Sequence, residues 1–203
     1  MVAMAYVKLP VCRRQAAILL LLLSVKSVFA SDVLSLEVSS NDDRYVLETE
    51  TYLQASVQSV FEVLLDYDNF TQLSSAYQES RQLGPGPDGA PRVYTLARGC
   101  MLFVCRSVEK VERLDTEPNH RIVATVIPKL SNLQQGVTEW VLEADGAGTR
   151  LSYRMELVPK FWVPPLIGPP VIRYVLAKGG KNALQKLENL ARERDGLPPS
   201  PVP

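Results

Sequence analysis

The sequence predicts an α+β chain: a curved antiparallel sheet of about seven strands around one long C-terminal helix, with two short helices after the first strand. Three observations lead there. Residues 43–54 alternate in polarity and run straight into an amphipathic helical stretch. Six more strand-like segments follow with no second helix among them. After a proline-rich connector, residues 170–194 carry an apolar stripe at helical spacing.

The chain opens with a leader. Arg13 and Arg14 form a basic flank, residues 16–25 are apolar, and Val28-Phe29-Ala30 places small residues where a signal peptidase reads them. This is the layout of a secretory signal peptide over residues 1–30. The apolar run is short for a bilayer span of about 20 residues, and Lys26 interrupts it. Residues 31–196 are then one domain, long enough to bury a core, and the proline-rich end 197–203 reads as a disordered tail. The leader holds four bases and no acids, so 18 bases remain against 22 acids. A mildly acidic domain without a basic run is a poor nucleic-acid binder. The expected compartment is outside the cytoplasm, periplasmic or secreted.

In 43–54, Tyr45, Leu47, Thr49 and Thr51 share one face and Arg44, Glu48 and Glu50 the other, as in a half-buried strand. Val57, Val60, Phe61, Leu64 and Leu65 then recur at i, i+3, i+4, i+7 and i+8, and Ser56 is a suitable N-cap. A second helical turn is expected over Thr71–Ser75. Strands are expected at about 77–83, 92–100, 103–114, 121–127, 135–144 and 149–158. "GPGPDGAP" (84–91) is a turn, since its prolines remove the amides that a phosphate cradle needs. "ADGAGTR" (144–150) is a hairpin turn with glycines for positive φ. The last strand sets Leu151, Tyr153, Met155 and Leu157 against Arg150, Ser152, Arg154 and Glu156, the alternation of a sheet with one wet face. In the final helix Ile172, Val175, Leu176, Gly179, Ala183, Leu187 and Leu190 trace the apolar stripe. The pair Gly179-Gly180 weakens that helix and implies that something packs close to it. A sheet wrapped around one helix leaves a central cavity lined by inward side chains.

The chemistry the sequence excludes is equally plain. Beyond the leader there are one histidine, His120, and two cysteines, too few for a zinc site without recruited carboxylates. No G-x-S-x-G elbow, Walker loop or G-x-G-x-x-G is present. No metal or cofactor is expected.

Four segments carry a resemblance: "VQSVFEVLLDYDNFTQL", "YQESRQL", "GVTEWVLEADGAGTRLSYRMEL" and "FWVPPLIGPPVIRYVL". Over about 40–195 the chain resembles the helix-grip superfamily of START-related lipid-transfer proteins, polyketide cyclase/dehydrase-like proteins and coenzyme Q-binding proteins. The resemblance implies a hydrophobic ligand cavity. It carries over no catalytic set, because no matched motif holds one. Strand parity then names candidate ligand-binding residues: Tyr94, Leu96 and Arg98 on one strand, Trp140 and Leu142 (with Thr138) on another, Tyr153 and Met155 on the last, and Ile172 and Leu176 on the helix.

Within this fold Cys100 and Cys105 flank a four-residue hairpin loop, Met101–Val104. Facing residues of an antiparallel pair lie about 4.5 Å apart at Cα, close to what a disulfide tolerates, and export favours oxidation. On one continuous strand they would lie about 17 Å apart and could not bond. The apolar tip Met101–Val104 and the connector Phe161–Pro170 are candidates for transient membrane contact or for closing the cavity. The leading expectation is an exported, monomeric protein that holds a hydrophobic small molecule, a membrane lipid or an isoprenoid quinone. The alternatives are a cyclase or dehydrase using Glu139, Arg98 and His120, and a protein-docking module.

Overall fold

The computed structural model describes residues 33–41, 44–101, 104–161 and 168–200. Residues 1–30, expected as a leader, and residues 102–103 and 162–167 lie outside them, as do the side chains of Cys100, Ile172, Val175 and Leu176.

Among the described residues, eight strands form one antiparallel sheet in the order β1-β2-β8-β7-β6-β5-β4-β3. They are β1 (Val33–Asn41), β2 (Arg44–Leu53), β3 (Tyr77–Leu83), β4 (Arg92–Met101), β5 (Val104–Glu117), β6 (Arg121–Val126), β7 (Leu133–Asp145) and β8 (Gly148–Pro159). Two helices complete the fold, α1 (Val57–Leu65) and α2 (Gly168–Arg194). All seven expected strands are present. The additional strand β1 pairs with β2, with Leu36 opposite Thr49 and Val38 opposite Leu47.

Helix α1 is capped by Ser56, whose side chain accepts from the Ser59 amide, and it buries Val60, Phe61, Val63 and Leu64. The second helical turn is a 3-10 turn at Tyr67–Gln72, four residues earlier than expected. It sits there because Tyr67 and Phe70 stack at 4.4 Å and are both buried. The β7–β8 hairpin closes with Asp145 opposite Gly148, and Gly146 supplies a φ of +59°. At Gly148 a Cβ would come within 2.4 Å of the Leu53 carbonyl oxygen, so that glycine permits close backbone approach.

The core lies between the concave face of the sheet and the two helices. Leu53, Val93, Leu114, Ile122, Ala124, Trp140, Leu142 and Leu151 pack with Val60, Phe61 and Leu64 of α1 and with Leu187 and Ala191 of α2. The end of α2 is fastened to the start of α1. Asp195 accepts hydrogen bonds from the Ser56 amide and hydroxyl, both at 2.7 Å, and from the Ser59 hydroxyl at 2.6 Å.

Two expectations require correction. The tail is not loose up to Ser200: the Ser200 hydroxyl donates to Glu188 at 2.6 Å, its amide donates to Asn189, and Arg192 donates to the Pro198 carbonyl. The prolines that bar a helix do not bar docking in an extended form. Among the described residues, Gly179 and Gly180 also have nothing within 4 Å of an added Cβ, so close packing against them does not explain the pair.

Candidate functional site

Cross-strand partners share a face, so the register decides which side chains point inward. Trp140 lies opposite Tyr153, Leu142 opposite Leu151, and Thr138 opposite Met155, all facing the core. The Trp140 and Tyr153 rings sit 5.6 Å apart. Burial falls along β8, from Leu151 at 1% exposure to half-buried Tyr153, Met155 and Leu157.

On β4 the expected parity is reversed. The inward residues are Val93, Thr95 and Ala97, because Val93 belongs to the core. Tyr94, Leu96 and Arg98 face the outer side. Tyr94 is nonetheless shielded: the Arg81 guanidinium lies 4.1 Å over its ring, and its hydroxyl donates to Glu109 at 3.2 Å. An aromatic covered by polar neighbours on the outer surface looks, in sequence, like a core residue.

The alternative acid–base set is not assembled. Glu139 accepts from Arg121 at 2.6 Å on the outer face, Arg98 is exposed, and His120 is exposed in the β5–β6 turn with Nδ1 3.3 Å from the Leu142 carbonyl oxygen.

A different polar cluster occupies the concave face. On β5 the inward positions are Val108, Lys110, Glu112 and Leu114, since Glu112 is opposite Val93 and Lys110 opposite Thr95. Lys110 Nζ donates to Glu112 Oε1 at 3.0 Å, with side-chain exposures of 14% and 2%. Thr95 in turn lies opposite Ser80. Around this pair stand three tyrosines. Burial raises the Tyr67 phenol well above its ordinary value, reinforced by Glu112, Tyr77 and Tyr153. Burial does the same for Tyr153, with Tyr77 and Glu112 adding to it. Burial also raises Tyr77, where Lys110 pulls down and Glu112 pushes up. For Lys110, burial alone favours the neutral amine. Glu112 and Tyr77 outweigh it, and the ammonium is held more firmly than usual. At neutral pH the cluster is therefore one ion pair and three protonated phenols.

The inward residues on this side, Tyr77, Ala97, Val108, Lys110, Tyr153, Met155 and Leu157, are only half-buried. The opposite half of the concave face is packed by α1 and the end of α2. These seven side chains keep partial access, whereas the core residues packed by α1 and the end of α2 are buried. Two grooves outside the sheet, of about 320 Å³ and about 210 Å³, run beside α2. They share Leu73, and in the larger Asp66 and Arg194 of the polar rim bond to each other at 2.7 Å.

Cys105 is disulfide-bonded, and Cys100 is the residue opposite it in the β4–β5 ladder. The ladder continues to Met101 opposite Val104, which shortens the expected four-residue loop to residues 102–103.

Residues 45–192 match the family model described as polyketide cyclase/dehydrase and lipid transport. The chain belongs to that family. No curated protein sequence matches it. As a member of the polyketide cyclase/dehydrase and lipid transport family it shares its helix-grip fold with solved structures of low identity. The Zhui aromatase/cyclase from a Streptomyces species is 16% identical, with a TM-score of 0.61 over 75% of this chain and 96% of that one. The STAR-related lipid transfer protein fragment from Xanthomonas axonopodis is 16% identical, with a TM-score of 0.54 over 75% of this chain and 98% of that one. The di-domain aromatase/cyclase StfQ of the steffimycin pathway is 17% identical, with a TM-score of 0.57 over 77% of this chain, which spans only 53% of StfQ. At these identities the likeness is one of fold.

Proposed function

We propose that this protein is an exported carrier that binds a hydrophobic small molecule in the unfilled half of the grip, with the polar end of the ligand held by the Lys110–Glu112 cluster. The observation that carries this is a set of half-buried inward side chains, Tyr77 and Tyr153 among them, grouped around the satisfied Lys110–Glu112 ion pair. The names of the family and of the similar structures, lipid transport and aromatase/cyclase among them, support a hydrophobic ligand. Apolar burial at about 25 cal/mol per Å² drives binding, and the polar cluster orients it.

Carriage is favoured over catalysis by the state of the cluster. A general base works best with a pKa near the operating pH. Here the phenols hold their protons well past neutrality and Lys110 stays charged. Phenols and an ammonium held in that state are suited to donating hydrogen bonds rather than to abstracting protons. Export is supported by the leader 1–30 and by the Cys105 disulfide, for which Cys100 is the proposed partner. Met101–Val104 and Phe161–Pro170 are proposed as the membrane-facing rim of a monomer.

Mass spectrometry of a solvent extract of the protein, purified from its native host, tests the proposal. A lipid or quinone at about one per chain is the expected result. A protein that is empty and also refuses lipids and quinones in vitro contradicts it.

A further inference from the structure

Ser80, Thr95 and Lys110 form one rung across β3, β4 and β5, with Ser80 opposite Thr95 and Thr95 opposite Lys110. Thr95 Oγ1 and Ser80 Oγ are both buried without a hydrogen-bond partner, and Thr95 is only 1% exposed. An unmet buried hydroxyl is costly to the fold. Two of them side by side, next to an ammonium, are groups held ready for a bound acceptor.

The charge on this face is balanced. Among the described residues, Lys110 and Glu112 are the shielded charged side chains at inward positions of β2 to β8. Arg106 has the same parity but lies exposed at the hairpin end. Since Lys110 already donates to Glu112, the shielded side chains among the described residues of the sheet carry no net charge. A carboxylate or phosphate brought in would bury an uncompensated negative charge beside Glu112, which is strongly unfavourable. A carbonyl oxygen brings no charge and accepts from the free hydroxyls and the remaining ammonium protons.

We propose that the Ser80–Thr95–Lys110 rung selects amphiphiles with a neutral, hydrogen-bond-accepting carbonyl head over amphiphiles of equal length with an anionic head. Quinones, ketones and esters are the favoured class. This rests on the carrier reading and adds head-group selection to it.

The test uses cis-parinaric acid and its methyl ester, which share one fluorescent chain and differ in head charge, titrated at pH 8 into delipidated full-length protein. The ester is expected to bind about tenfold tighter than the ionised acid or better. Equal or tighter binding of the acid overturns the inference and leaves the carrier reading standing. Binding of neither probe removes the carrier reading and this inference with it. Thr95→Val keeps the side-chain shape and removes the orphan hydroxyl. It is expected to raise the thermal midpoint while weakening the ester by about 3- to 10-fold, and Ser80→Ala is expected to act in the same direction. A raised midpoint with unchanged ester affinity in both variants assigns the hydroxyls no role in binding and overturns the proposal.

Discussion

Lys110 and Glu112 stand two apart on β5 and face inward together, which is how a strand with period two brings two charges onto one face. Glu112 is 2% exposed, and Lys110 Nζ donates to its carboxylate at 3.0 Å. Removing one partner strands the other. Glu112→Ala is expected to destabilise the protein by about 3 kcal/mol, read as a lower midpoint in urea with an unchanged slope. The double replacement Lys110→Met with Glu112→Leu is expected to recover most of that loss, because a buried ion pair is often matched by apolar side chains of similar volume. If the single and double variants are equally unstable, the pair is not coupled as described. "SVEKVERLDTE" shows why this pair escaped the sequence reading. Charged residues fall on both faces of β5, and Val111 on the outer side competes with Val108 and Leu114 on the inner. Choosing the parity of Val108 and Leu114 would have placed Lys110 and Glu112 inside.

At the scale of elements, the end of α2 is joined to α1 through Asp195 and Arg194, while two glycines loosen α2 further back. Asp195 ends α2 and caps the start of α1. Its partial burial alone would raise its pKa, yet the bonds from Ser59 and Ser56, with Arg192 nearby, hold it below the ordinary 3.8. A carboxyl with a depressed folded-state value stabilises above the unfolded-state value and loses that contribution as pH falls through the folded one. The acid limb of stability below about pH 4 is therefore expected to be shallower in Asp195→Asn, measured by urea midpoints across pH 2 to 5. An identical limb in both proteins removes this role. Gly179 and Gly180 act in the opposite sense. Each has open space where a Cβ would go, so the pair Gly179→Ala and Gly180→Ala is expected to raise stability by about 1 kcal/mol per site. Destabilisation in thermal or urea unfolding would show a packing role that the geometry lacks. Strand β1 was legible and was passed over: Leu34, Leu36 and Val38 alternate with Ser35, Glu37 and Ser39. On β4 legibility failed for a physical reason. Its two faces are equally mixed, and the packing of Val93 in the core and the cover of Arg81 over Tyr94 reveal which is the outside.

Among the described residues the molecule is a single sheet with one wet face and one face that holds the core at one side and half-buried side chains at the other. The wet face was readable in the salt-bridging alternation of β2 and β8, where Arg154 meets Glu48 and Arg150 meets Glu50. The long helix and the sheet were readable too, because periodicity and turn residues are local signals. The polar half of the interior was not, since it is assembled from β3, β4, β5, β8 and the 3-10 turn and depends on register across strands far apart in sequence. The account's central claim is that ligand occupies this half. Isotope-filtered nuclear Overhauser measurements on tyrosine-labelled protein, loaded with the ester probe, test it directly. Contacts from the ligand chain to the rings of Tyr77 and Tyr153, and none to Tyr52 and Tyr94, are the predicted result. Contacts confined to Tyr52 or Tyr94 would place the ligand outside the grip and contradict the account.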